Sequence, residues 1–280
     1  MVGDSAQRLA VAHVVERAEG EPAGSEFRVT LNFHPDRLVS GLPILAAMAR
    51  DGSYRSQFET GTSNGGLTAH PGGDRWRWES RLFGAAYDNE PPSERPKYGA
   101  LNFRRRAIGG SPRFGSAHLR LADHTLPRTT FCYPDSFFEP VHVGVVDRLS
   151  TVVAVAAADQ KDFLDDYVEA QVHGPVRFTH DVEAMVLDPC YRGTEVEKLA
   201  AGLGCPMEWH GGFRLSVDEM RRHPDYRGSE YVELGESLAL DGQLDPAIIG
   251  AAARSGRHDE QALKRVWHYL ARFGTSEFAR

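Results

Sequence analysis

At 280 residues the chain can bury a full core as one large domain, or as a domain with an appendage, without needing a covalent staple. Its 41% hydrophobic and 25% charged residues are those of a globular protein, and no apolar run approaches the roughly 18 residues that cross a bilayer, which excludes a membrane span. A formal net charge of −7 argues against broad adhesion to nucleic acid, which needs a basic face to displace counterions.

The amino terminus lacks the basic segment, apolar core and small-residue cleavage site of a Sec-type signal. A cytoplasmic location is expected, delivery to another cell by a specialised secretion system apart. Apolar positions from Ser5 to Ala18 recur at helical spacing with Ser5 as N-cap, which predicts an opening helix ended by the Gly20 to Gly24 stretch. Phe27 to Phe33 alternates apolar and polar residues, the signature of a half-buried strand, and leaves His34 at its end. Ser40 to Arg50 reads as a short helix with Pro43 in its first turn, stopped by Asp51-Gly52. From there to Gly115, glycine, proline, arginine and aromatic residues prevail between turn signals at Pro71-Gly72-Gly73 and Pro91-Pro92. Long irregular stretches of this kind usually carry function.

Ala117 to Leu121 and Thr129 to Tyr133 read as strands flanking a turn, and Val141 to Val146 as a third strand. Asp159 to Asp166 predicts a helical turn leading into the strand Tyr167 to Val172. A strand at Val182 to Leu187, a helix at Thr194 to Gly202 and a short strand at Met207 to Trp209 follow. Beyond Pro224 the pattern turns helical, at Pro246 to Ala253 and Asp259 to Phe273, the latter with Leu263, Val266, Trp267 and Leu270 on one face. The chain thus divides into residues 1–225, dominated by strand pairs, and a helical C-terminal extension, 226–280.

Three islands hold residues suited to chemistry: Phe33-His34-Pro35-Asp36-Arg37, Thr60-Gly61-Thr62-Ser63-Asn64-Gly65-Gly66, and Tyr167-Val168-Glu169-Ala170-Gln171-Val172-His173. Strand periodicity sends Tyr167, Glu169, Gln171 and His173 to one face and the three apolar residues between them to the other; a solvent-facing strand gives the same pattern. His34 is suited to general base, metal ligand or sugar-hydroxyl partner, or to a structural place at the strand's end. The glycines of the second island let backbone approach a ligand closely, though alone the segment is a turn. Arg104-Arg105-Arg106, with Lys97 and Arg113, has the chemistry to hold a phosphate and equally that of a solvated basic loop.

The order of these islands resembles the ADP-ribosyltransferase superfamily. Leu31-Asn32-Phe33-His34-Pro35-Asp36-Arg37, with Ile44-Leu45 and Gly52, is similar to the nicotinamide-site strand and helix of poly(ADP-ribose) polymerase and diphtheria-toxin-type enzymes, where a histidine begins the catalytic triad. Thr60-Gly61-Thr62-Ser63 looks like the Ser-Thr-Ser element of the toxin-like branch, and Glu169-Ala170-Gln171-Val172 with Pro175 looks like the Glu-x-Glu strand. The Tyr98 to Asn102 run, Tyr-Gly-Ala-Leu-Asn, also resembles that of an uncharacterised bacterial family.

The resemblance implies an α+β fold of two packed antiparallel β-sheets, a split β-sandwich with flanking helices. It implies a transferase that cleaves the nicotinamide–ribose bond of NAD, its substrate, and passes ADP-ribose to a protein, nucleic-acid, small-molecule or water acceptor. It assigns His34 to the adenosine-side ribose, Thr62 and Ser63 to buttressing the cleft, and Tyr54, Phe58 or Tyr98 to stacking on nicotinamide. Arg37 and Arg113 are matched to the pyrophosphate, Glu169 to charge at the anomeric carbon, and Gln171 to orienting the acceptor. Gln171 stands where the superfamily has its catalytic acid; placing Glu169 there shifts the register by two and keeps the same strand face.

Two other classes fit the residues. An inactive module of the same fold would bind a nucleotide or partner without turnover. A metal-dependent hydrolase would draw on His34, Asp36, His173 and His180, although no HExxH or compact cluster is present and no metal is expected. Cys132, Cys190 and Cys205 are odd in number and widely spaced, so they read as buried free thiols, and Cys132 has no evident base to make it a nucleophile. Asp135 and Ser136 read as caps of a turn near the cleft.

Overall fold

Both faces of the strand Val29–Phe33 (β1) are buried in the computed structural model, which describes residues 5–22, 24, 26–61 and 68–275. The half-exposed strand predicted from alternation is corrected because its polar residues are satisfied internally. Asn32 Nδ2 donates to the carbonyls of Ile108 (3.0 Å) and Gly115 (3.3 Å), and Thr30 Oγ1 accepts the Gly110 N–H at 2.8 Å. The segment Ile108 to Gly115 therefore covers the polar face.

Around β1 runs a sheet of eight strands, the others being Lys97–Leu101 (β2), Ala117–Leu121 (β3), Thr129–Tyr133 (β4), His142–Val145 (β5), Val168–Val172 (β6), Val182–Leu187 (β7) and Met207–Trp209 (β8). Their spatial order is β8-β7-β3-β1-β2-β6-β4-β5, antiparallel except for the parallel pair β7 and β8. The two packed antiparallel sheets expected from the sequence are one mixed sheet in an α+β fold, with three two-stranded pieces beside it. The reason is β2, which lies in the stretch read as irregular. It pairs β1 on one side (Val29 opposite Leu101) and β6 on the other (Gly99 opposite Ala170), joining what would otherwise be two groups of strands. Gly99 permits this approach, since a Cβ there would stand 2.4 Å from Leu31 Cδ2 and 2.5 Å from the Thr30 carbonyl oxygen. Nor are β3 and β4 a hairpin: β3 pairs with β1 and β7, and β4 with β5 and β6.

Helices cover both faces. Ala6–Val15 (α1) begins at the predicted cap, Ser5 Oγ accepting the Arg8 N–H. Ile44–Asp51 (α2) has Pro43 as its N-cap and Gly52 in the left-handed region at its end. Asp74–Leu82 (α3) lies in the segment read as irregular, and Ser150–Ala158 (α4) precedes the position predicted as a helical turn, Asp159 to Asp166. Glu195–Ala201 (α5) falls where predicted. Val168, Ala170 and Val172 join Leu31, Leu45 and Val152 in the larger core, while Cys132, Val143 and Val145 on the other side pack with Ala10, Val14, Trp78 and Phe83.

The C-terminal helices Val217–Arg221 (α6), Ser229–Leu238 (α7), Pro246–Arg254 (α8) and Glu260–Phe273 (α9) have a core that includes Val266, Trp267 and Leu270, and these with Leu263 are buried as their spacing predicts. They also grip the rest of the chain. Trp267 Nε1 donates to the carbonyls of Arg113 (3.0 Å) and Pro112 (3.2 Å), and Arg254 Nη1 meets both the carbonyl oxygen and Oδ2 of Asp36 at 2.9 Å. Among the described residues no helix is long and apolar enough to cross a membrane.

Candidate functional site

The predicted face of β6 is real, and all of it is buried: Tyr167, Glu169, Gln171 and His173 are each under 10% exposed. Each polar group therefore needs a partner. His173 stacks on Tyr87, bonding its hydroxyl through Nδ1 at 2.7 Å and Thr130 Oγ1 through Nε2 at 3.0 Å; burial pushes its imidazole down to about 3. Gln171 Oε1 accepts from Thr130 Oγ1 at 2.9 Å, and its Nε2 donates to Glu169 Oε1 at 3.1 Å and to Cys132 Sγ at 3.3 Å.

Only Tyr167 and Glu169 of this row reach a cavity of about 860 Å³ at the end of the central strands. His34, Arg37, Tyr54, Tyr98 and Arg113 line the same cavity, so the structure brings together six of the sequence candidates. Gln171 does not line it, and neither does Phe58, whose ring faces the Arg95 guanidinium at 4.2 Å. Thr62 and Ser63, with the Asn64-Gly65-Gly66 run, lie outside the described residues.

At the floor, Glu169 Oε2 accepts from Ser136 Oγ at 2.8 Å and from the Ser136 N–H at 3.3 Å. Burial raises its carboxyl, which the nearby Arg75 guanidinium opposes and Asp135 reinforces. Asp135 caps the turn Ser136–Phe138 through the Phe137 N–H, as its sequence suggests, and its other oxygen accepts from the Tyr167 hydroxyl. At the far wall His34 meets the edge of Trp267, ring centroids 4.8 Å apart, and makes no hydrogen bond to a described residue. Burial, with Arg37 and Lys264 close by, pushes its imidazole down to about 3, leaving it neutral with one donor and one acceptor. Tyr54 is held protonated, its phenol pushed up to about 12 by burial. Arg113 pairs with Asp165, and Lys264 and Trp267 of α9, with Arg227 from the turn before α7, extend the wall.

The arginine run is not part of this site. Arg104 and Arg106 both pair with Asp166, at 3.1 and 2.6 Å, Arg105 pairs with Glu26, and Lys97 donates to the carbonyls of Ser93 and Arg95. The proposed metal set is also dispersed. Asp36 is locked to Arg254, His173 is in the core, and His180 stands beside His124 and Asp181, whose ligand atoms lie within 4.8 Å of one another. Asp181 there is already engaged by Arg128 at 2.9 Å. Cys132 is buried 3.9 Å from Glu169, its thiol raised well above the ordinary range by burial and that carboxyl, which opposes a nucleophilic thiolate; Cys190 and Cys205 are free and half-buried.

Residues 28–160 and 150–273 match a protein family described as "Protein of unknown function (DUF3626)". The chain belongs to the DUF3626 family. The match spans both the His34 and Glu169 segments and the C-terminal helices that wall the cavity. The chain matches no curated protein.

Proposed function

We propose that the chain is an NAD-dependent ADP-ribosyltransferase that releases nicotinamide and passes ADP-ribose to an acceptor. One observation carries the reading: His34, Arg37, Tyr54, Tyr98, Arg113 and Glu169, from segments far apart in sequence, line one cavity. Its volume of about 860 Å³ falls in the upper part of the roughly 300–1,000 Å³ typical of ligand sites, which suits a dinucleotide. The fold goes with this reading as a variant of the split β-sandwich in which β2 joins the two groups of strands into one sheet, β1 and β6 lying one strand apart across it.

In this mechanism the neutral His34 imidazole donates to one ribose hydroxyl and accepts from another. Arg37 and Arg113 meet the pyrophosphate, with Lys264 and Arg227 adding positive charge from the C-terminal segment. Tyr54 stacks on nicotinamide, because the Arg75 guanidinium already sits over the Tyr98 ring at 4.1 Å. Glu169 binds a hydroxyl of the nicotinamide ribose and stabilises the positive charge that grows on the anomeric carbon as the C–N bond breaks and nicotinamide leaves with the bonding electrons. The acceptor's nucleophile then bonds that carbon and gives up its proton to water. Tyr167, two residues before Glu169 on the same face and at the cavity, orients the acceptor in place of the more deeply set Gln171.

Nicotinamide release from NAD tests the reading. Glu169→Ala is expected to lower the rate at least about a hundredfold, and His34→Ala to raise the KM about tenfold or more, from the loss of the two hydrogen bonds its ring makes to ribose. Release unchanged by Glu169→Ala, or none from the parent, would sink it. Burial of Glu169, which favours its uncharged form, supports the binding-only alternative, and NAD binding without release would select that one.

A further inference from the structure

Helix α3 brings a line of buried charge up to Glu169 from below. Arg75 is 3% exposed and Glu79 fully buried. Arg75 Nη1 donates to Ser136 Oγ at 2.7 Å, and the same hydroxyl donates to Glu169 Oε2 at 2.8 Å. A serine hydroxyl has one proton; because its oxygen accepts from the guanidinium, that proton is free to point at the carboxylate. The guanidinium also stands 3.8 Å from Glu169 Oε1. Its own position is fixed from the other side, where it packs on Tyr98, the Tyr98 hydroxyl donates to Glu79 Oε1 at 2.7 Å, and Glu79 Oε2 takes Arg95 at 2.6 Å.

We propose that Arg75 is the positioning residue of the site: through Ser136 and through its own charge it fixes the direction of Glu169 and favours its ionised form. The inference rests on Glu169 being the working acid of the reading above. The groups facing Glu169 are Asp135 from the turn after β4, Cys132 from β4, Gln171 and Tyr167 from β6, and Tyr98 from β2. Of these Asp135 is the other carboxyl group, and it opposes ionisation of Glu169. Arg75 is the cation set against it. A buried carboxyl with no cation at hand would bind a proton near neutrality and lose the charge that an oxocarbenium-like transition state needs.

The test compares the parent with Arg75→Gln, Arg75→Lys and Ser136→Ala, by the pH profile of nicotinamide release and by 13C NMR titration of protein labelled at the glutamate carboxyl carbons. Glu169→Gln assigns the resonance. Arg75→Gln is expected to move both the acid limb and the Glu169 titration upward by about one to three pH units. Arg75→Lys should recover most of that shift, and Ser136→Ala should show a smaller upward one. An unmoved titration in Arg75→Gln, or in Ser136→Ala where Arg75→Gln does not fold, overturns the proposal, as does a lysine variant displaced as far as the glutamine one. If the parent releases no nicotinamide, the functional reading falls, while the NMR titration still decides what Arg75 does to Glu169.

Discussion

Burial lifts the Glu169 carboxyl and the Arg75 guanidinium draws it back, and the side chains behind it decide how rigidly it is held. Gln171 is one of these, completely buried and bonded to Thr130, Cys132 and Glu169. Gln171→Ala is expected to cost about 1–3 kcal/mol, because Thr130 and Glu169 lose a partner inside the core. Nicotinamide release should change only a few fold, since the cavity-facing Tyr167 and Glu169 remain. Urea denaturation beside the release assay checks this, and a total loss of release in a stable variant would return Gln171 to the site. Glu169 and His34 were legible in the sequence because a strand's period of two and its end are local properties. Arg75 was not: its helix buries Arg75, Trp78, Glu79 and Leu82 at helical spacing, but two of the four are charged, so hydrophobic periodicity is blind to it. The spacing of Arg75 and Glu79, four residues apart with Trp76 and Trp78 between them, was the available signal.

At the scale of elements, α9 is a wall of the cavity as well as part of a C-terminal extension, and α8 braces the turn that follows β1. Asp36, two residues after His34, is deeply buried and held by Arg254, and Gly250 lies so close that a Cβ there would be 1.5 Å from Asp36 Oδ2. Arg254→Ala would leave that buried carboxylate without its cation. The cost should be about 2 kcal/mol, below the usual figure for a wholly buried pair because the Arg254 side chain is 38% exposed. It should also weaken NAD binding by loosening the His34 turn. A stability and an affinity equal to those of the parent, by denaturation and calorimetry, would contradict both expectations. The helices themselves were readable, as the buried face of α9 follows its spacing, whereas their seat against His34 and Arg113 was not, since no local pattern specifies what a helix face will meet.

Across the whole molecule, four imidazoles are held far below their ordinary 6.5: His34, His118 and His173 pushed down to about 3, and His268 to about 2. Each is neutral in the fold and gains its proton on unfolding. Stability is therefore lost as pH falls from 6.5 towards 3, by about 1.4 kcal/mol per pH unit for each such group as an upper bound. Glu79, pushed up to about 7, acts in the opposite sense between 4.5 and 7, where the folded state holds its proton more tightly, and the raised carboxyls of Asp36 and Glu169 act with it, but they are three groups against four. The denaturation midpoint is expected to be lower at pH 5 than at pH 7; a higher one would contradict this. The sequence by itself determined the caps, most of the strands, the apolar face of α9 and the strand places of His34 and Glu169, because each depends on residues a few positions apart. Only the tertiary structure decided that β2 joins the strands into one sheet, that Tyr167 rather than Gln171 accompanies Glu169 at the cavity, and that the C-terminal helices close it. These depend on partners tens to hundreds of residues away, whose pairing is set by packing and by the satisfaction of buried polar groups.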